Sequence, residues 1–76
     1  MINELDTVVL TTDLPEEGLK AGDLGAVVAV YRDGASYEVE FVTLKGQTVS
    51  VVTVPHHGLR PVDEKDLPTT RQTAVA

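Results

Sequence analysis

The chain predicts an all-β domain: a small barrel of about five antiparallel strands behind a long first loop. Three observations carry that prediction. Short β-branched runs such as Ala26-Val27-Val28-Ala29-Val30-Tyr31 recur along the chain, and they are too short to argue for helices. Turn signals separate them, chiefly the glycine-framed Gly22-Asp23-Leu24-Gly25 and the pair Asp33-Gly34. One segment, Tyr37 to Val42, alternates with a strict period of two: Tyr37, Val39 and Phe41 share a face, and Glu38 and Glu40 share the other.

The first strand covers Leu5 to Leu10, with Val8 and Leu10 on one face. The connection from Thr11 to Asp23 contains Pro15, Gly18 and Gly22. Within it, Asp13 to Leu19 suits a single helical turn, because proline fits a first helical position, Glu16 and Glu17 favour the N-terminal end and Gly18 can stop it. Leu14 and Leu19 are expected to tuck back onto the barrel. The second strand, Ala26 to Arg32, leads through the hairpin signal Asp33-Gly34 into the third, Ser36 to Val42. Thr43 to Gly46 turns the chain into the fourth strand, Gln47 to Val54, which stops at Pro55 because proline cannot donate to a sheet ladder. His56-His57-Gly58 predicts a 3₁₀ turn before a brief last strand at Leu59 to Val62. Long loop, hairpin, hairpin, 3₁₀ turn and terminal strand together describe an SH3-like barrel over residues 1–62. Residues 63–76 show no apolar periodicity and are expected to form a flexible acidic and polar tail that frays.

Seventy-six residues make one domain. A chain of this size buries only about 60% of its unfolded surface, so its core is small. With no cysteine it has neither a disulfide framework nor a thiolate metal site. The segment Met1 to Asp6 carries two acids and no cation, the wrong charge for a secretory signal. No apolar run approaches the ~20 residues that cross a bilayer. A cytoplasmic protein is expected. Twelve acidic against six basic residues leave a net charge of −6. That field repels phosphate backbones and anionic lipid, which argues against nucleic-acid and membrane partners and would attract a basic protein.

The second and fourth strands read as apolar on both faces. Val28 and Val30 point one way and Val27, Ala29 and Tyr31 the other; Val49 and Val51 oppose Val52 and Val54. One explanation is a β-bulge near Ser50-Val51-Val52 that switches the parity and keeps the valines inside. Another is that the first loop covers the outer face. A third is a second subunit or partner on that face, since exposed apolar patches mark interfaces and a small core gains stability from assembly. The last reading makes Val27, Ala29, Tyr31, Val52 and Val54 the candidate interface, with Glu38 and Glu40 as its polar complement, in a homo-oligomer or against another protein.

Catalytic chemistry lacks its parts, and no catalytic residue is assigned. Ser36 and Ser50 sit in a turn and a strand without a Gly-x-Ser-x-Gly elbow. Glu38 and Glu40, and the cluster Asp63, Glu64 and Asp66, read as solvated charge. Gly22-Asp23-Leu24-Gly25 lacks the lysine and spacing of a phosphate loop. One Phe, two Tyr and no Trp give no aromatic groove for proline-rich ligands and no stacking platform for RNA. No cofactor is expected. His56 and His57 are the candidates for a metal; adjacent residues in an extended segment face opposite ways, so only a turn and a carboxylate from elsewhere would let them share one ion. A polar turn beside a proline is the simpler reading. The alternative function is therefore a small-molecule or metal-binding protein whose site lies at a subunit junction near these histidines and the acidic cluster.

The runs Leu5 to Leu10, Leu14-Pro15-Glu16-Glu17-Gly18-Leu19-Lys20-Ala21-Gly22-Asp23-Leu24-Gly25-Ala26-Val27-Val28 and Tyr37 to Phe41, with Leu59-Arg60-Pro61, resemble a family of small bacterial proteins known as a domain of unknown function. The resemblance covers roughly residues 3–62, and its Leu-Pro-x-x-Gly-Leu-x-x-Gly-Asp-x-Gly pattern is fairly specific. It implies an SH3-like barrel and brings no functional residues with it. The Pro55-His56-His57-Gly58 turn departs from the ordinary polar turn expected there. A looser similarity, through the Gly-Asp-x-Gly-x-Val turn, reaches the barrel of the nitrile hydratase β subunit, with too few matching residues to imply a function.

Overall fold

The structure, a computed structural model, describes residues 2–73. Among them are five strands: β1 (Thr7–Leu10), β2 (Leu24–Tyr31), β3 (Ser36–Val42), β4 (Thr48–Pro55) and β5 (Leu59–Pro61). They form one antiparallel sheet in the order β4-β3-β2-β1-β5. The last strand returns beside the first, which is consistent with the small barrel read from the sequence. Short 3₁₀ turns occupy Pro15–Glu17, Arg32–Gly34 and His56–Gly58.

The first loop folds back as its leucines require. Leu14 and Leu19 bridge each other, Gly18 closes the proline-led turn in the left-handed region at φ 72°, and Leu19 is buried. The loop is then pinned to β1: the Gly22 N–H donates to the Leu10 carbonyl at 2.7 Å and the Leu10 N–H to the Asp23 carbonyl at 2.9 Å. Gly25 has a different job. A Cβ there would lie 2.5 Å from Val39 Cγ1 and 2.9 Å from Phe41 Cε1, so only glycine lets β2 approach the side chains of β3 this closely.

Boundaries moved where local geometry overrode propensity. β1 starts at Thr7 and not Leu5, because Leu5 sits at φ 72° in a turn closed by the Asn3 N–H on Asp6 Oδ2 at 2.8 Å. The β2–β3 connection winds left-handed, with Arg32, Asp33 and Gly34 all at positive φ, and is longer than a two-residue hairpin.

The core gathers Val8, Leu10, Leu19, Val27, Tyr37, Val39, Phe41, Val54 and Leu59, with Val30, Val49 and Val52 packed against it. This corrects three of the expected interface residues: Val27 and Val54 are fully buried, and Val52 leans inward. The cause is strand register. Residues directly opposite in an antiparallel pair project to the same face. Val27 and Val52 both face buried Val39, while Val30 and Val54 face buried Tyr37. The register slips between Val27 and Ala29, leaving Val28 unpaired, so Val27 and Val30 both point inward although three positions apart. In β4 the slip falls at Val49, between the Phe41–Ser50 and Val42–Thr48 pairs, one residue before the stretch the sequence suggested. Two bulges thus account for strands that read as apolar on both sides.

Candidate interaction surface

The outer face of β2, β3 and β4 is built by the same register. Ala29 lies opposite Glu38 and Glu38 opposite Thr53; Ala26 lies opposite Glu40 and Glu40 opposite Val51. Tyr31 ends the row on β2, and the bulge turns Val28 outward. Val28, Tyr31 and Val51 are 43%, 42% and 50% exposed. Among them stand the two glutamates, each steadied by a threonine on β4: Thr53 Oγ1 donates to Glu38 Oε1 at 2.7 Å, and Thr48 Oγ1 to Glu40 Oε2 at 2.9 Å. A carboxylate that accepts one hydrogen bond keeps most of its acceptor capacity, so both still face outward as anions able to receive a cation or an N–H. Of the residues singled out in the sequence, Ala29, Tyr31, Glu38 and Glu40 come together here. Val28 and Val51 replace Val27, Val52 and Val54.

His56 and His57 open the third 3₁₀ turn, exposed, with ring centroids 5.7 Å apart and planes at 85°. Among the described residues no three of His, Cys, Asp and Glu meet in a group that could hold a metal. The acidic cluster does not join the histidines; its Asp66 turns to β5 instead.

That turn belongs to a feature the sequence did not reveal. Arg60 grips Asp66 through both oxygens, at 2.8 and 2.9 Å, and the Asp63 N–H donates to the same carboxylate. The Arg60 hydrogen bonds, and next the Asp63 N–H, lower the Asp66 carboxyl from its ordinary 3.8 to about 2. Further along, Arg71 reaches back across 48 positions: Nε donates to Asp23 Oδ1 at 2.9 Å, and Nη2 to Asp23 Oδ2 and to the Gly18 carbonyl. Burial works to raise the Asp23 carboxyl, but the hydrogen bonds from Arg71 and the Lys20 N–H, with their positive charges, leave it lowered. Residues 63–73 therefore lie against the barrel; residues 74–76 of the expected tail fall outside those described. A groove of about 1090 Å³ runs between this segment and the barrel end formed by the first loop, the β3–β4 hairpin and β5. No sequence spacing signals a pairing so distant; the aspartate serves the glycine turn and gives no sign of a second partner.

The family model described as Domain of unknown function (DUF4926) matches residues 4–61. No curated protein and no solved structure matches the chain. No helix among the described residues is long and apolar enough to cross a membrane.

Proposed function

We propose that this chain, which belongs to the family Domain of unknown function (DUF4926), is a non-enzymatic, cytoplasmic protein-interaction module. Its contact surface is the outer face of β2–β4. The observation that carries this reading is the grouping of exposed Val28, Tyr31 and Val51 around the outward carboxylates of Glu38 and Glu40. Apolar side chains supply the area that association removes from water, and the two anions select a partner by sign. A net charge of −6 draws basic proteins from a distance. A second copy of the chain suits the face less well: a two-fold contact sets a surface against itself and would bring its glutamates toward one another. The partner is therefore another protein, one that offers lysine or arginine among apolar side chains, with this chain as its small accessory.

A panel of short peptides that alternate arginine with aliphatic or aromatic residues tests the reading by amide chemical-shift mapping. Shifts centred on residues 28–31, 38–40 and 51–53, lost in a Glu38→Lys/Glu40→Lys variant, are expected. Shifts elsewhere, or binding indifferent to the charge reversal, would defeat it. Molar mass by light scattering over a concentration series is the companion measurement. A monomer is expected; a dimer dispersed by Val28→Asp would assign the face to self-association.

A further inference from the structure

The groove beneath the C-terminal segment collects two kinds of side chain that are scarce or scattered elsewhere. Leu24, Val42, Leu44, Val62 and Leu67 line it, five of the nine large apolar residues exposed among those described. So do Lys20, Lys45, Arg60 and Arg71, four of the six cations in the whole chain. Its only acidic side chains among the described residues are Asp23 and Asp66, each already engaged by an arginine. The lining therefore carries a net charge of +2 in a protein of −6, and the two lysines make no ion pair among the described residues.

Neither feature follows from the needs of folding. The core is complete without these apolar side chains, and a soluble acidic domain gains nothing by gathering its cations around them. Together they match one ligand chemistry, an aliphatic chain ending in an anion. Ligand sites of about 300–1,000 Å³ with apolar walls and a few convergent polar groups are typical for small molecules, and this groove, at about 1090 Å³, lies just above that range.

We propose that the groove binds a small anionic amphiphile, an aliphatic carboxylate, with its chain along the leucine and valine walls and its head at Lys20 and Lys45. Buried Val9, Leu19 and Phe41 form the groove's floor. The segment from Leu67 to Thr73 forms the far wall, held in place by Arg71 on Asp23 and Gly18. None of Val28, Tyr31, Glu38, Glu40 or Val51 lines the groove, so this site stands or falls apart from the β2–β4 face.

Decanoate, kept below its micelle concentration, is the probe, with acetate and decyltrimethylammonium as controls for the chain and the charge. Amide shift mapping on the full chain should place decanoate at residues 20–24, 42–49 and 60–73, while acetate and the cationic amphiphile bind at least about tenfold more weakly. Lys20→Glu/Lys45→Glu should weaken decanoate by about tenfold at unchanged melting temperature. The milder Lys20→Ala/Lys45→Ala serves if the double reversal disturbs the turn. Equal binding of the cation, indifference to the lysine variants, shifts confined to the β2–β4 face, or no shifts up to the micelle limit would each overturn the proposal.

Discussion

At Val27 and Val28 two identical side chains, adjacent in sequence, take opposite fates. The bulge leaves Val28 unpaired and turns it to solvent, while Val27 keeps its place across from Val39 and is fully buried. Substituting each by aspartate should separate them. Val27→Asp leaves an uncompensated carboxylate in a core whose buried side chains are all hydrophobic among the described residues, at a cost of about 3–5 kcal/mol or neutralisation of the acid. In so small a domain that approaches the whole stability. Val28→Asp should alter stability by no more than about 0.5 kcal/mol while abolishing partner contact. Urea denaturation followed by circular dichroism reads the first effect, and equal destabilisation by both variants would show that the bulge is misplaced. Gly25 offers a second residue-scale test. An added Cβ meets Val39 and Phe41 at distances no packed side chain tolerates, so Gly25→Ala should cost about 1–3 kcal/mol through overpacking. A stability equal to the wild type would mean that β2 and β3 yield more easily than a packed sheet should. The glycine's role was partly legible: the sequence marks Gly22-Asp23-Leu24-Gly25 as a turn, but only the three-dimensional approach of β3 explains the second glycine.

At the scale of elements, the sequence reads well where contacts are local and badly where they are not. The alternation of Tyr37, Val39 and Phe41 placed β3 and its faces correctly, and Pro15 with Gly18 placed the turn of the first loop. A register slip leaves no mark on residue type, so the sequence can suggest a bulge but cannot say which face of β2 and β4 is buried, and Val27, Val52 and Val54 read as outward. The C-terminal segment escaped for the opposite reason. It has no periodicity, and what holds it is two arginine–carboxylate contacts made over long or irregular spacing. These contacts have a pH signature. Asp66 has its carboxyl lowered from 3.8 to about 2 by Arg60, so its contribution is fully present above pH 3.8 and is lost as the pH falls through about 2. Asp23, also lowered, acts in the same direction. Amide hydrogen exchange of Asp63, Lys65 and Asp66, whose N–H groups donate within the segment, should therefore stay slowed from neutrality to below pH 3.8 after correction for intrinsic rates, then accelerate toward pH 2 ahead of the β-sheet. Arg71→Ala should raise the mobility of residues 67–73, read by amide relaxation, already at neutral pH while leaving the sheet intact, because the pair is partly exposed. Release with a midpoint near 3.8, or none at all, would remove the ion pairs as the cause. The family match ends at residue 61, so Asp66 and Arg71 of this latch lie outside the part of the chain that the family describes, while their partners Arg60 and Asp23 lie within it.

For the molecule as a whole, the distribution of charge matters more than its sum. The groove lining carries +2 within a total of −6, so the remainder of the chain carries −8, and Glu38 and Glu40 belong to that remainder. With a radius of gyration of 11.7 Å, the whole molecule is comparable in size to the Debye length of about 10 Å at 0.1 M salt. At lower ionic strength the acidic field therefore reaches a ligand anywhere on the surface. It assists a basic peptide approaching β2–β4 and opposes a carboxylate approaching the groove, against the local pull of Lys20 and Lys45. Added salt removes the long-range part first and leaves the short contacts. Between about 20 and 200 mM salt the basic peptide should lose several-fold in affinity, while decanoate should change by less than about twofold, as loss of local attraction and loss of global repulsion offset each other. Calorimetric titration of both ligands across that range is the check. Parallel losses would mean that the groove does not sit in an opposing field, and that its cations act only as scattered surface charge.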